Sequence, residues 1–265
     1  MKHEEYERMY RFEDSYWWFV ARRNLIAALL ADLRPHASPL KILDIGCGTG
    51  AMLDVLAPYG KVVGADFSPE ALSFCRSRGE RNGNEYNLVR ADVRRLPFAE
   101  NQFDVVTAMD IIEHIDRDKD ALLEICRVLA PGGRLFATVP AFASLWSEHD
   151  EALHHYRRYR ALEFKDVVQR AGLTVEKTSY TLTALFPLVW LFRQAANAAR
   201  RIRNGHQPQA HLVRFPQPIN SALLSLVKAE TQIVRRMNLP FGVTVVLVAR
   251  KGEPAGCRSA EDSGR

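Results

Sequence analysis

The segment 41–50, Lys-Ile-Leu-Asp-Ile-Gly-Cys-Gly-Thr-Gly, constrains the fold more than any other part of this chain. Its first half is a short apolar strand, and its second half places glycines at 46, 48 and 50. Without a Cβ in the way, backbone amides in such a turn approach a ligand closely. The helix expected next, over about 51–56, aims the positive end of its dipole at the same point. A strand, turn and helix of this kind bind a nucleotide-like ligand.

Two patterns fit the turn. Gly46, Gly48 and Ala51 satisfy the dinucleotide spacing Gly-x-Gly-x-x-Gly/Ala. Asp44, Gly46, Gly48 and Gly50 satisfy Asp/Glu-x-Gly-x-Gly-x-Gly. Asp44 separates them: a carboxylate at the strand end repels a pyrophosphate and suits a ligand with a cationic end.

The rest of the chain supplies the context. Residues 15–33 carry a broad apolar helical face that begins with Tyr16-Trp17-Trp18-Phe19. These aromatics suit core packing and a lid equally well. A strand over 61–67 ends in Asp66, 20 residues after Gly46, where doubly wound folds place the acid for ribose hydroxyls. Ser68-Pro69-Glu70 reads as a helix start with Ser68 as the cap, which leaves Asp66 for the ribose. A third strand, about 86–91, ends at Asp92, and a fourth, 103–109, ends at Asp110. Asp92 could be a turn former, yet carboxylates at consecutive strand ends point to a shared ligand. A helix over 121–129, a sharp turn at Pro131-Gly132-Gly133 and a strand over 134–139 follow. This alternation predicts a parallel sheet with helices on both faces. The polar stretch 140–160 gathers His149, Asp150, His154, His155, Tyr156, Arg157, Arg158 and Tyr159. A helix over 162–171 stops at Gly172; strands over 173–180 and 243–249 complete the pattern, and the tail beyond Gly252 reads as disordered.

At 265 residues and 47% hydrophobic content, the chain can bury one substantial core with an insertion. Cys47, Cys75, Cys126 and Cys257 are scattered without C-x-x-C spacing, which fits reduced thiols in the cytoplasm and no zinc. The polar, acidic start does not read as a signal peptide. The net charge is +5, but 181–240 holds eight Lys/Arg against one acid, so the rest is slightly acidic. Within that insertion the apolar run 182–192 is too short to span a bilayer. Followed by Arg200, Arg201 and Arg203, it suits a helix lying on anionic lipid, with a structural cap or dimer interface as an equal reading. Residues 204–218 read as a linker and 219–237 as a second helix. No nucleic-acid-binding module is apparent.

Six segments together resemble the class I S-adenosylmethionine-dependent methyltransferases: 43–50, 64–68, 91–98, 103–106, 112–115 and 129–135. The chain is similar to the methyltransferase type 11 group, which includes ubiquinone and menaquinone methylases. The resemblance implies a Rossmann-like α/β fold, a seven-stranded, mostly parallel sheet, here with a helical insertion between strands six and seven. It implies S-adenosylmethionine as cofactor. Asp44, Gly46, Gly48 and Gly50 would hold its methionine portion, Asp66 with Phe67 its ribose side, Asp92 and Val93 its adenine, and Asp110 and Ile111 would close the site. The organisation expected is an aromatic lid at 1–38, a core at 39–180, the insertion at 181–240, the last strand at 241–252 and a tail at 253–265. The flanks, with Trp-Trp-Phe and His155 to Tyr159, resemble a bacterial subgroup. Asp110, Glu113 and His114 also resemble a Glu-x-x-Glu-His segment of ubiquinone O-methylases that is associated with a divalent metal. Asp replaces the first Glu, and the expectation here is no metal, with His114 lining the substrate side.

An oxygen nucleophile needs a proton acceptor near neutral pH, a range that histidine fits. His149 oriented by Asp150 is the first candidate, with His155, His154 and His114 behind it. Arg157 and Arg158, with Tyr159, could clamp a phosphate or carboxylate of the acceptor. The expected function is methyl transfer to a hydroxyl of a hydrophobic or lipid-linked small molecule by a cytoplasmic protein, peripheral on the inner membrane face. Two alternatives are a soluble acceptor and a non-catalytic S-adenosylmethionine-binding partner. Neither an oligomeric state nor nucleic acid as a partner follows.

Overall fold

The computed structural model describes residues 3–33, 38–202 and 215–253, with the side chains of 199–202 left aside. The chain opens with helices α1 (His3–Phe12) and α2 (Trp17–Leu30). Strand β1 (Leu40–Ile45), helix α3 (Ala51–Leu56), β2 (Gly60–Asp66), α4 (Pro69–Asn82), β3 (Asn87–Arg90) and β4 (Phe103–Met109) follow. Then come α5 (Asp118–Val128), β5 (Leu129–Pro140), α6 (Glu148–Ala152), α7 (Ala161–Arg170) and β6 (Leu173–Thr181). Helices α8 (Phe186–Ile202) and α9 (Gln217–Arg236) precede β7 (Thr244–Lys251).

The strands form one sheet in the order β3-β2-β1-β4-β5-β7-β6. β1 to β5 run parallel, and β7 lies antiparallel between β5 and β6. The central strands are buried on both faces, which is why β1 and β4 read as near-continuous apolar runs. Alternation along them feeds two cores. Ile42, Val105, Phe136 and Val246 pack under α2, α3 and α9. Leu43, Val106, Leu135 and Leu247 pack under α5 and α7. This is the seven-stranded class I methyltransferase fold.

The structure departs from the sequence reading in two places. Helix α1 was not anticipated, because its stripe of Tyr6, Met9 and Tyr10 is short and stands among charges, and only Tyr6 is buried. Pro131-Gly132-Gly133 turns sharply, with Gly132 at φ +76°, but as an excursion inside the long β5 where the register shifts opposite Phe103–Val105, not as the start of a separate strand. In the insertion, α9 follows the structural-cap reading. Asn220 of α9 accepts from the Trp17 amide at 3.0 Å and donates to the Ser15 carbonyl at 3.0 Å. Arg235 pairs with Asp32 at 3.1 Å, and the buried Glu230 accepts from the amides of Leu182 and Ala184. Helix α9 thus forms one layer with α2. Arg203, Arg214, most of the expected linker and the tail beyond 253 lie outside the described residues, as do the side chains of Arg200 and Arg201.

Candidate active site

The carboxyl ends of β1, β2 and β4 open into a cavity of about 1440 Å³, roofed by α1, α2 and α8. Gly46 sits at φ +68°, and a Cβ there would come within 2.8 Å of Ile111, so only glycine lets Ile111 pack on the turn. Gly46 and Gly48 line the cavity. Gly50 turns the other way: a Cβ there would meet the Cys75 sulfur at 2.9 Å, so its space belongs to the packing of α4.

Three of the strand-end carboxylates are held differently. Asp44 is 2% exposed and accepts from the Thr107 hydroxyl at 2.6 Å; burial pushes its pKa up to about 7. Asp66 accepts from the Gly48 amide at 3.0 Å and from the Ser68 amide at 2.9 Å, and burial raises its pKa. Ser68 caps α4 through the Ala71 amide, as expected, but Asp66 also fixes the glycine turn. A carboxylate has about four acceptor positions, so it can still bond a ligand. Asp92 is taken by Arg94, whose guanidinium lies 2.6 Å away and whose amide donates at 2.9 Å; this hydrogen bonding lowers its pKa. The turn-forming role of Asp92 is therefore filled. Val93 and the exposed Phe67 line the same cavity.

Asp110 sits at φ +49°, accepts from Thr138 at 2.8 Å and meets Arg22 of α2 at 2.5 Å. A second tie joins the N-terminal helices to the glycine turn. Arg78 of α4 is 2% exposed, donates to the Thr49 carbonyl at 3.0 Å, and pairs with Glu13 at 2.5 Å and Asp14 at 2.7 Å. Thr49 donates its hydroxyl to Glu13, and Arg23 donates to the Glu13 carbonyl at 2.6 Å. The sequence did carry a signal for this network. Ala71, Leu72, Cys75 and Arg78 share one helical stripe, so Arg78 is a charge on an apolar face.

At the far end of the cavity, Asp150 is fully buried in α6 and caps that helix by accepting from the Ser147 amide at 2.9 Å. The capping turn aims its other oxygen at His155 Nδ1, 2.9 Å away, and at Arg158 Nε, 2.8 Å away. Asp150 thus orients His155; the expected His149–Asp150 pair is not formed. Burial opposes ionisation of Asp150, but the His155 hydrogen bond and the Arg158 charge hold it well below the usual carboxylate range. With Nδ1 donating to Asp150, Nε2 of His155 is left as the acceptor. Burial and Arg193 push His149 down to about 4, and burial and His155 push His114 down to about 4. Both are neutral rings near pH 7. The His114 and His155 rings meet edge-on at 4.5 Å.

Glu113 is fully buried beside them, and neither of its carboxyl oxygens has a hydrogen-bond partner. Burial, then Asp110, raises its pKa well above the usual value. Ligand atoms of Glu113, His114 and His155 lie within 4.8 Å of one another. This set of two imidazoles and a carboxylate could hold a divalent ion, with Asp150 bracing His155.

The expected arginine clamp needs correction. Residue 159 bridges to Ala141, and the two-residue period of extended chain sends 158 toward the cavity and its neighbours away from it, Tyr159 into the core under α5 and α7. Arg157 pairs with Asp118 at 3.0 Å and donates to the Asp116 carbonyl; Tyr159 donates to Asp118 at 2.7 Å. Neither lines the cavity. Arg158 does, but its donors serve Asp150 and the Ala141 carbonyl. Arg193 of α8, counted in the basic excess, also points inward, donating to the Leu145 carbonyl and lying 3.4 Å from Asp150.

Residues 43–137 match the family model described as a methyltransferase domain. The chain has the class I methyltransferase fold, and this segment, about a third of the chain, is similar to that family's domain. Among particular proteins, a demethylmenaquinone methyltransferase of Thermus thermophilus is 45% identical over 108 residues, 39% of this chain and 49% of that protein. The chain spans about half the length of the curated relatives it matches. Among solved structures, the [4+2]-cyclase SpnF superposes with a TM-score of 0.58 at 21% identity, covering 87% of this chain and 81% of its own. A Haemonchus contortus phosphoethanolamine N-methyltransferase 2 bound to S-adenosyl-L-methionine gives 0.58 at 20% identity, covering 88% and 53%. These structural likenesses show the fold.

Proposed function

We propose that this chain is an S-adenosylmethionine-dependent methyltransferase acting on a hydroxyl of a hydrophobic acceptor. One observation carries the reading. A single cavity has Asp44, Asp66 and the glycine turn at one end and a histidine oriented by a buried aspartate at the other. The cofactor supplies a methyl group already activated as a sulfonium. Asp44 and the turn would hold its methionine end, Asp66 its ribose, and Asp92, Val93 and Phe67 would border the adenine. Ile111 and Asp110 would close the floor, and the aromatic roof of α2 would exclude water. His155 Nε2 takes the proton of the acceptor hydroxyl, and Asp150 stabilises the imidazolium formed. His149 is too weak a base at about 4 to share that work. The unpartnered Glu113, whose burial raises its pKa, would bond the acceptor's polar end.

The acceptor's apolar part is assigned to α8. Val189 and Phe192 border the cavity, while Leu188, Leu191 and Phe192 form an exposed stripe at i, i+3 and i+4. No helix among the described residues is long and apolar enough to cross a membrane. An exposed stripe at the cavity mouth suits contact with a lipid surface that delivers the acceptor. Phe186, packed on Phe142 and Phe241, favours the second reading, a structural cap over a soluble acceptor. The test is incubation of a lipid extract with isotopically labelled S-adenosylmethionine and pure protein, then mass spectrometry. A labelled apolar product that disappears with His155→Ala supports the reading; no labelled product from lipid or soluble extracts, with S-adenosylmethionine bound, leaves a non-catalytic binding protein.

A further inference from the structure

We propose that Cys47 and Cys75 are an oxidisable pair, a disulfide modification site in the wall of the cavity that holds the glycine turn. The two sulfurs are 3.8 Å apart. Cys47 stands between Gly46 and Gly48 and borders the cavity, while its sulfur packs behind the turn with Leu53, Leu72 and Cys75, so a small oxidant reaches it as the turn opens. Cys75 is fully buried behind it on α4 and donates its thiol hydrogen to the Gly48 carbonyl at 3.2 Å. The pair is packed face to face. Glycines make room for both sulfurs: a Cβ at Gly64 would lie 3.1 Å from the Cys47 sulfur, and one at Gly50 2.9 Å from the Cys75 sulfur. Each sulfur therefore has the other as its nearest reaction partner. Neither the cofactor reading nor the base at His155 uses them.

The chemistry balances with a hydroperoxide as oxidant. The Cys47 sulfur attacks a peroxide oxygen, the O–O bond breaks, and one water or alcohol leaves, giving a sulfenic acid. The Cys75 sulfur then attacks the Cys47 sulfur, the S–O bond breaks, and a water leaves with the remaining thiol proton. The two thiols lose two electrons and the peroxide gains them. The hydrogen bond that Cys47 donates to the Cys75 sulfur, then burial, push the Cys47 thiol up, so the pair responds to sustained oxidant and not to a brief pulse.

Bond formation needs the sulfurs to close by about 1.8 Å, given a disulfide length of about 2.05 Å. The turn has little slack for this. Gly46 and Gly48 hold φ of +68° and +54°, and the Gly48 amide anchors Asp66 at 3.0 Å. Closure also removes the Cys75 bond to the Gly48 carbonyl. Resting on the reading of this cavity as the S-adenosylmethionine site, oxidation should spoil the cradle, and bound ligand should shield Cys47.

The experiment treats the whole protein with hydrogen peroxide, with and without S-adenosylhomocysteine. Peptide mapping without reductant reads the linkage, and calorimetry with S-adenosylhomocysteine reads the cradle. The expected result is a Cys47–Cys75 peptide, a loss of at least tenfold in affinity, recovery with dithiothreitol, and protection by ligand. Cys75→Ser should prevent the link and leave affinity insensitive to peroxide. Sulfinic acid at Cys47 without a link, or a link that leaves affinity unchanged, overturns the proposal. If the reduced protein fails to bind S-adenosylhomocysteine, the cofactor reading fails, while the mapped link still establishes the modification site.

Discussion

Asp44 illustrates how one buried side chain couples ligand and pH. Its folded pKa of about 7 stands above the roughly 3.9 of an unfolded carboxylate. The folded state therefore binds this proton more tightly. The stability Asp44 contributes is fully present below about pH 4 and is lost as pH rises toward 7. A cationic ligand reverses the preference, because it needs the ionised form. S-adenosylmethionine affinity should rise by up to about tenfold per pH unit below 7 and level off above it. Calorimetry from pH 5.5 to 8.5 checks this, with Asp44→Asn losing the slope. At the other end of the cavity, His155→Ala and Asp150→Asn should each slow turnover by about 10²–10⁴ while S-adenosylmethionine binding stays unchanged. His149→Ala should slow it far less. Equal defects in all three would return the base to His149.

Between elements, the decisive contacts are the buried ion pairs that fasten helices. Glu13, in the link between α1 and α2, is 4% exposed and bonded to Arg78 and Thr49. Removing one partner of a buried pair costs about 3–5 kcal/mol, and because Arg78 keeps Asp14 the loss at Glu13 should fall at the low end. Glu13→Ala should show that loss in urea unfolding, and hydrogen exchange should quicken first across 3–33. Helix α8 gives a different test, since Leu188 and Leu191 are 66% and 61% exposed. Replacing both with Ser removes mostly exposed surface, so the melting temperature should change little. Sedimentation with anionic vesicles should drop, by an amount that high salt does not mimic, because apolar burial is not screened. Vesicle binding that is absent in the wild type would assign α8 to a soluble acceptor.

Across the whole molecule, the cavity is walled by the sheet edge, the N-terminal helices and the insertion together. A ligand that bridges these parts should stabilise the protein as a unit. At 100 times its Kd, S-adenosylhomocysteine adds about 2.7 kcal/mol, which for a chain of this size raises Tm by about 5–10 °C. NAD at the same concentration should leave Tm unchanged, since Asp44 opposes a pyrophosphate. A shift with NAD alone would restore the dinucleotide reading of the glycine turn.

The sequence by itself determined the sheet. Apolar runs ending in Asp44, Asp66, Asp92 and Asp110, with glycines needed where φ is positive, are local signals, and the strands form where those signals stand. Near neighbours in sequence were also legible, such as Ser68 capping α4. The tertiary structure decided what depended on distant partners. Asp150 could reach either His149 or His155, and only the capping turn of α6 chose His155. The alternation set by the bridge at Tyr159 turned Arg157 away from the cavity. Arg193 counted as surface charge until α8 packed it beside Asp150. Composition gives the number of charges in a segment; which of them face solvent depends on packing between elements far apart in the chain, and no local pattern encodes it.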